Sequence, residues 1–288
     1  MRTKRLGGAI LLYGMLLCCL LAVAPARQAD DRQSSAASGT AHVRSEASKP
    51  RLRTTVLGTK FEVHRDFDRA IAGVVGRIRR RVRTQQERGK FVAFISTPLS
   101  PRGGGHRATN VAISKFVKRR LGARYGATQL WVLAPGQVED ELPDVAGRRP
   151  SGGEYLFMWT EILAGEDGTG ADFDMVYFVG PTDVASFFGV QQTGILDGLD
   201  AYVSRRAKAD AEFDAEVAQY PERRRQFLRY YGLRASAAFS RGAHDEWNIF
   251  RLINCNRPIV EQVAAYFDGR ALSPAEFQTP VRPGYEAR

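Results

Sequence analysis

Three short, almost wholly apolar runs constrain this chain more than any other feature: KFVAFISTPL from Lys90, TQLWVLAPG from Thr128 and DFDMVYFVGPTD from Asp172. None alternates apolar with polar residues, so each reads as a strand buried on both faces, the environment of a parallel sheet covered by helices. Helical patterns separate them. Asn110 to Tyr125 carries Val111, Ile113, Phe116, Val117 and Leu121 and closes at Gly126, and Ser151 to Ala164 carries Leu156, Met158, Trp159, Ile162 and Leu163. The alternation predicts an α/β fold, an open, mainly parallel, three-layer Rossmann-like sheet.

A leading amphipathic helix is expected over 67–88. Ile71, Val74, Val75, Ile78 and Val82 fall at helical spacing, and Arg77, Arg79, Arg80, Arg81 and Arg83 surround them. The run RIRRRVR invites a nucleic-acid or anionic-membrane reading through phosphate attraction. It lacks interleaved aromatics and any DNA-binding module, so a solvated helix face is the expectation and nucleic acid is not the expected partner. A charged helical insertion is expected over about 190–235. A helix from Asp245 to Asn254 and a fourth strand from Pro258 to Val263 complete one α/β domain spanning 67–288.

The amino terminus has a different character. MRTKR is basic, Leu6 to Ala24 is apolar, and Ala24-Pro25-Ala26 supplies the small residues of a cleavage site. Residues 1–26 are expected to be a secretory signal that sends the protein to the periplasm or out of the cell. The alternative is an uncleaved anchor at residues 6–24. Removing Arg2, Lys4 and Arg5 lowers the net charge from +11 to +8, and of the 3 cysteines only Cys255 would remain. A lone thiol makes no internal disulfide, and Cys255 in an apolar helical pattern is expected to be buried and structural. Residues 27–66, rich in Ala, Ser, Gln, Arg and Asp, are expected to form a disordered linker.

Several chemistries are disfavoured. No GxSxG elbow follows a strand, no GK[ST] or GxGxxG accompanies the glycines, and one cysteine with His42, His64, His106 and His244 scattered along the chain cannot build a zinc centre. No metal or cofactor is expected, although a carboxylate-held cation at Glu154, Glu161 or Asp183 stays open.

Ligands of open parallel sheets gather beyond the carboxyl ends of the strands, and three segments are candidates there. The loop from Ser96 to Asn110 contains Gly103, Gly104 and Gly105, whose backbone N–H groups suit a phosphate or ribose-phosphate, and Thr109 or Asn110 could cap the next helix. Asp183, after the Gly180-Pro181 turn, could accept sugar hydroxyls. The third segment, FSRGAHDEWNIFRLINCNRPIV from Phe239, places Glu246 near a helix start, where the dipole favours an anion. Plain turn and cap chemistry accounts for each segment equally well.

The third segment resembles the nucleoside 2-deoxyribosyltransferase family and its nucleotide-sugar-binding relatives, whose signature is D-x-G-x-x-x-E-x-G followed by a basic residue and proline opening a strand. Gly242 and Glu246 match, Arg257-Pro258-Ile259-Val260 follows, and Ser240 and Asn248 stand where the family has aspartate and glycine. The likeness covers roughly 90–263 without the insertion. It implies that Glu246 is the nucleophile at the anomeric carbon of a nucleoside-like ligand and that Asp183 holds the ribose or base. Ser96, Gly103, Gly104, Gly105, Asn110, Gly242, His244, Asp245 and Asn248 would line the site. The phrases FVGPTD, YYGLRAS and GAHDEWN also resemble a wider bacterial family, which implies no activity. A non-enzymatic exported module that binds a ligand or partner is the alternative, favoured by the loss of the family aspartate at Ser240.

Overall fold

The sheet at the centre of the computed structural model is built from the three apolar runs. The structure describes residues 49–137, 140–191 and 193–287, so the expected signal and the linker before residue 49 lie outside the described residues. Strand β3 (Phe91–Ser96) is followed by α2 (Arg107–Tyr125), β4 (Leu130–Leu133), α3 (Gly152–Ala164) and β5 (Met175–Phe178). Two further strands, β6 (Ala264–Phe267) and β7 (Arg270–Ala271), complete the order β4-β3-β5-β6-β7, parallel throughout except for the antiparallel β7. The connection from β3 runs outward to β4, and the chain then returns across β3 to reach β5. The carboxyl ends of β3 and β5 therefore flank the topological switch point, where Ser96 sits in register with Phe178.

Pleating sends alternate residues to opposite faces. Val92, Phe94, Val176 and Phe178 point into a core with α1 (Asp68–Glu87), α3 and α8 (Arg241–Cys255). Ala93, Ile95, Tyr177 and Val179 point into a second core. Its other walls are α2, α4 (Pro181–Phe188), α5 (Ile195–Ala209) and α7 (Pro221–Leu233), with a short helical turn α6 (Ala211–Phe213) widening into a π turn over Asp214–Ala218. Three layers result, and the insertion expected over 190–235 forms much of one outer layer.

Four local expectations are corrected. Residues assigned to the linker form a hairpin, β1 (Arg51–Thr54) with β2 (Lys60–Val63), because Phe61 and Val63 are fully buried beneath α1 and α3. The helix carrying Glu246 starts at Arg241, where Ser240 caps Ala243 N–H (3.3 Å), so Gly242, His244 and Asp245 lie inside it. Residues 258–263 are not a strand. Pro258 has no N–H for a ladder, Ile259 and Val260 are 81% and 91% exposed, and the side-chain amide of Asn254 brackets Val263 N–H and C=O (2.8 and 3.1 Å) to launch β6 one residue later. Cys255 is exposed at the end of α8, not buried.

Arg257, the basic residue before Pro258, has a structural part. Its guanidinium donates to the carbonyls of Thr169 (2.6 Å), Gly170 (2.5 Å), Phe173 (3.2 Å) and Glu261 (2.8 Å), tying the entry to β5 to the entry to β6. Among the described residues no helix is long and apolar enough to cross a membrane.

Phe94 is fully buried and tilts against both Trp159 (5.4 Å between centroids) and Phe250 (5.8 Å), so it couples the sheet to α3 and α8. Phe94→Ala should lower unfolding free energy by about 3–5 kcal/mol with an unchanged denaturant slope, measured by urea titration.

Candidate functional site

Glu246 reaches the switch point. It lies in the second turn of α8, is 8% exposed, and its Oε2 accepts from the Ser96 hydroxyl at 2.5 Å. Two of the expected site residues thus meet. The preceding turn fixes this approach, because Ala237 N–H donates to Val179 C=O beyond β5 (2.8 Å). Burial pushes the Glu246 carboxyl up to about 8, against the pull of the Ser96 hydrogen bond and with help from the charge of Asp245. At neutral pH it is a neutral acid, where a glycosyl nucleophile must be ionised.

The glycine-rich loop does not open toward that pair. A Cβ on Gly104, whose φ is +104°, would stand 2.6 Å from the Gln226 carbonyl of α7, and one on Gly105 would stand 3.1 Å from the Tyr230 ring. Close packing against α7 is thus what Gly104 and Gly105 permit, and Gly103 lies beside the same Tyr230 ring. Asn110 serves the same purpose: it accepts from the Tyr231 hydroxyl (2.7 Å), and its amide faces the carbonyls of Leu99 and Ser100 (both 3.4 Å). The cap of α2 is His106 rather than Thr109 or Asn110, its Nδ1 accepting from Thr109 N–H (3.3 Å).

Asp183 is buried on the other face of the sheet. It accepts from the Tyr177 hydroxyl (2.9 Å), Gly180 N–H (3.1 Å) and Arg120 Nη1 (2.9 Å). Tyr177 points into the α2–α4 core, whereas Ser96 faces α8 and meets Glu246 there, so the two expected catalytic carboxylates lie on opposite sides of the sheet. Burial raises the Asp183 carboxyl above its ordinary value, and its hydrogen bonds from Gly180 and Tyr177 oppose that rise. The amino terminus of α4 is already filled by Asp268, whose carboxylate accepts from Thr182 N–H (2.9 Å) and Asp183 N–H (3.1 Å).

The remaining expected ligand contacts engage the chain's own carboxyl-terminal segment. Asp245 accepts from Gly284 N–H (2.8 Å) and Tyr285 N–H (2.7 Å). Asn248 pairs with both N–H and C=O of Val281 (3.0 and 2.9 Å). His244 Nδ1 faces Arg282 C=O (3.1 Å), and Gly242 lies near Leu156. Tyr285 then reaches toward Arg102 after β3 (3.4 Å) and packs on Gly152 at the start of α3, so the segment crosses the carboxyl edge beside Ser96 and Glu246.

One cavity stays open at this edge, with a volume of about 350 Å³. Phe178 and Phe267, at the ends of β5 and β6, line it with Trp247, Leu272 and Val281, and an ion pair between Arg270 and Glu276 (2.9 Å) stands at its exposed rim. The Arg270 hydrogen bond, with those from Ser273, holds the Glu276 carboxyl at about 2, so the pair is charged at neutral pH. Sequence reading missed these residues. The Asp268-Gly269 pair was the available signal, since Asp-Gly with positive φ at both residues (52° and 84°) turns β6 into β7 and carries Arg270 to the rim.

Among the described residues no group of three or more His, Cys, Asp or Glu side chains could hold a metal. Glu154 is fully buried with its oxygens engaged by His64 N–H (2.9 Å) and Nδ1 (2.7 Å), Ser151 N–H (2.8 Å) and the Ser151 hydroxyl. Burial opposes its ionisation, yet these hydrogen bonds together hold its carboxyl below the ordinary value. No family model, curated protein or solved structure matches this chain.

The raised Glu246 carboxyl sets a pH dependence. Its contribution to stability is fully present below about 4.5, its ordinary value, where the unfolded chain is also protonated. It is lost as the pH rises to about 8, because only the unfolded chain ionises in that window. Glu246→Gln should remove this dependence. The stability of wild type relative to the variant should fall by a few kcal/mol between pH 4 and pH 8.5 in chemical denaturation, whereas a flat difference would place the carboxyl at its ordinary value.

Proposed function

We propose that this chain is a ligand-binding α/β module that holds a nucleoside-like small molecule by its ring in the cavity beside Trp247, without turning it over. The observation that carries this reading is an open, largely apolar cavity of about 350 Å³ with a charged rim, at an edge where the polar ligand positions are otherwise filled from within. Its volume suits a small molecule, and Trp247, Phe178 and Phe267 offer aromatic surface to a flat ring. Arg270 and Glu276 would meet the polar end of the ligand. Residues 1–26, if they direct export, put the module outside the cytoplasm.

Cleavage or transfer of an N-glycosidic bond through Glu246 is the second reading, supported by the meeting of Glu246 with Ser96 at the switch point. It requires the carboxylate form, and Glu246 reaches that form only above about pH 8 while the site stays closed.

Titrating nucleosides and free bases against the purified protein should quench Trp247 fluorescence, and Trp247→Ala should weaken binding by about tenfold or more. Chromatography of the same mixtures between pH 6 and 9 should show no released base. Base release by wild type that Glu246→Gln lacks would overturn the binding reading in favour of catalysis.

A further inference from the structure

The first turns of α8 address an extended peptide in a way that the small-molecule reading leaves unexplained. Arg241, His244, Asp245 and Asn248 recur at i, i+3, i+4 and i+7, the spacing of one helical face. All four engage main-chain atoms of the terminal segment. Arg241 donates to Gly284 C=O (Nε at 2.9 Å), His244 faces Arg282 C=O, Asp245 receives Gly284 and Tyr285 N–H, and Asn248 brackets Val281 as a neighbouring strand would. Trp247, next to this face, donates its indole N–H to Thr279 C=O (3.0 Å).

Selectivity comes from two positions. A side chain at Gly284 would collide with the Arg241 backbone. The Tyr285 ring lies against the Arg241 guanidinium (4.4 Å to its centroid) and fills the space left by the missing side chain of Gly152. Main-chain contacts supply affinity and side-chain sites supply choice, as in other modules that read extended peptides. The segment leaves α9 (Pro274–Gln278) through only Thr279 and Pro280 before its first bracketed residue, Val281. Its contacts on α8 are non-covalent, so a separate chain can make the same ones once this segment is released, at the added entropic cost of association.

We propose that the 241–248 face of α8 is a peptide-recognition groove, that residues 279–287 are its built-in occupant, and that it accepts in trans an extended peptide carrying glycine followed by an aromatic residue. Occupancy by the terminal segment closes the edge beside Ser96 and Glu246, and the inference does not depend on what fills the neighbouring cavity.

The test uses the full chain with a protease site inserted between Gln278 and Thr279, cut after folding, then challenged with fluorescent TPVRPGYEAR at concentrations up to millimolar. Gel filtration and anisotropy should show the labelled peptide entering the protein. An analogue with valine at the Gly284 position should enter at least about tenfold more weakly. Asp245→Asn should weaken uptake similarly with an unchanged circular dichroism spectrum, and if that variant does not fold, the analogue arm decides alone. Failure of the label to enter, or equal uptake of the glycine and valine peptides, would overturn the proposal.

Discussion

A parallel sheet covered by helices on both faces gathers strand ends and helix amino termini at one edge, where nearly every buried polar group needs a partner. This requirement organises the molecule. Asp268 meets the N–H groups at the start of α4, Asp245 meets the terminal segment above α8, and the Ser96 hydroxyl meets Glu246 between β3 and α8. An unpaired donor or acceptor at any of these places would cost on the order of 1–3 kcal/mol, a large share of a domain's net stability.

The same requirement decides the state of Glu246. Ser96 provides one hydroxyl donor, and the neighbouring Asp245 adds negative charge, so burial dominates and the carboxyl stays protonated at neutral pH. Glu154 shows the contrast within one molecule. It is also buried, yet two backbone N–H groups, a histidine and a hydroxyl meet it, and its carboxyl is held low. Burial raises both carboxyls, and the donors gathered around Glu154 outweigh it there while the single hydroxyl at Glu246 does not. A reactive carboxylate at position 246 would need the edge opened to water or a cation brought in.

Much of the fold is legible in single segments of the sequence. Ile71 to Val82 on α1 and the apolar runs of β3, β4 and β5 announce themselves because periodicity and burial are properties of a few adjacent residues. The hairpin at 51–63 escaped notice because Phe61 and Val63 are short-range orphans, buried only by contacts with elements that follow later in the chain. Glycines 104 and 105 show the same limit: a tight loop is legible, but whether it faces a ligand or the back of α7 depends on residues more than a hundred positions away. The cluster Arg241 to Asn248 was recognisable as a site for something, and its partner turned out to be the terminal segment of the same chain.

By itself, then, the sequence determined the layered α/β architecture, the buried strands and the placement of Glu246 on a helix near a strand end, because these follow from local patterning and from the rules that join strands to helices. Only the tertiary structure decided that Asp183 and Glu246 face opposite sides of the sheet and that Glu246 is neutral. It also decided that the polar face of α8 is occupied from within. Those outcomes depend on which distant groups arrive to share a buried charge or hydrogen bond, and such distances are set by packing, not by spacing along the chain.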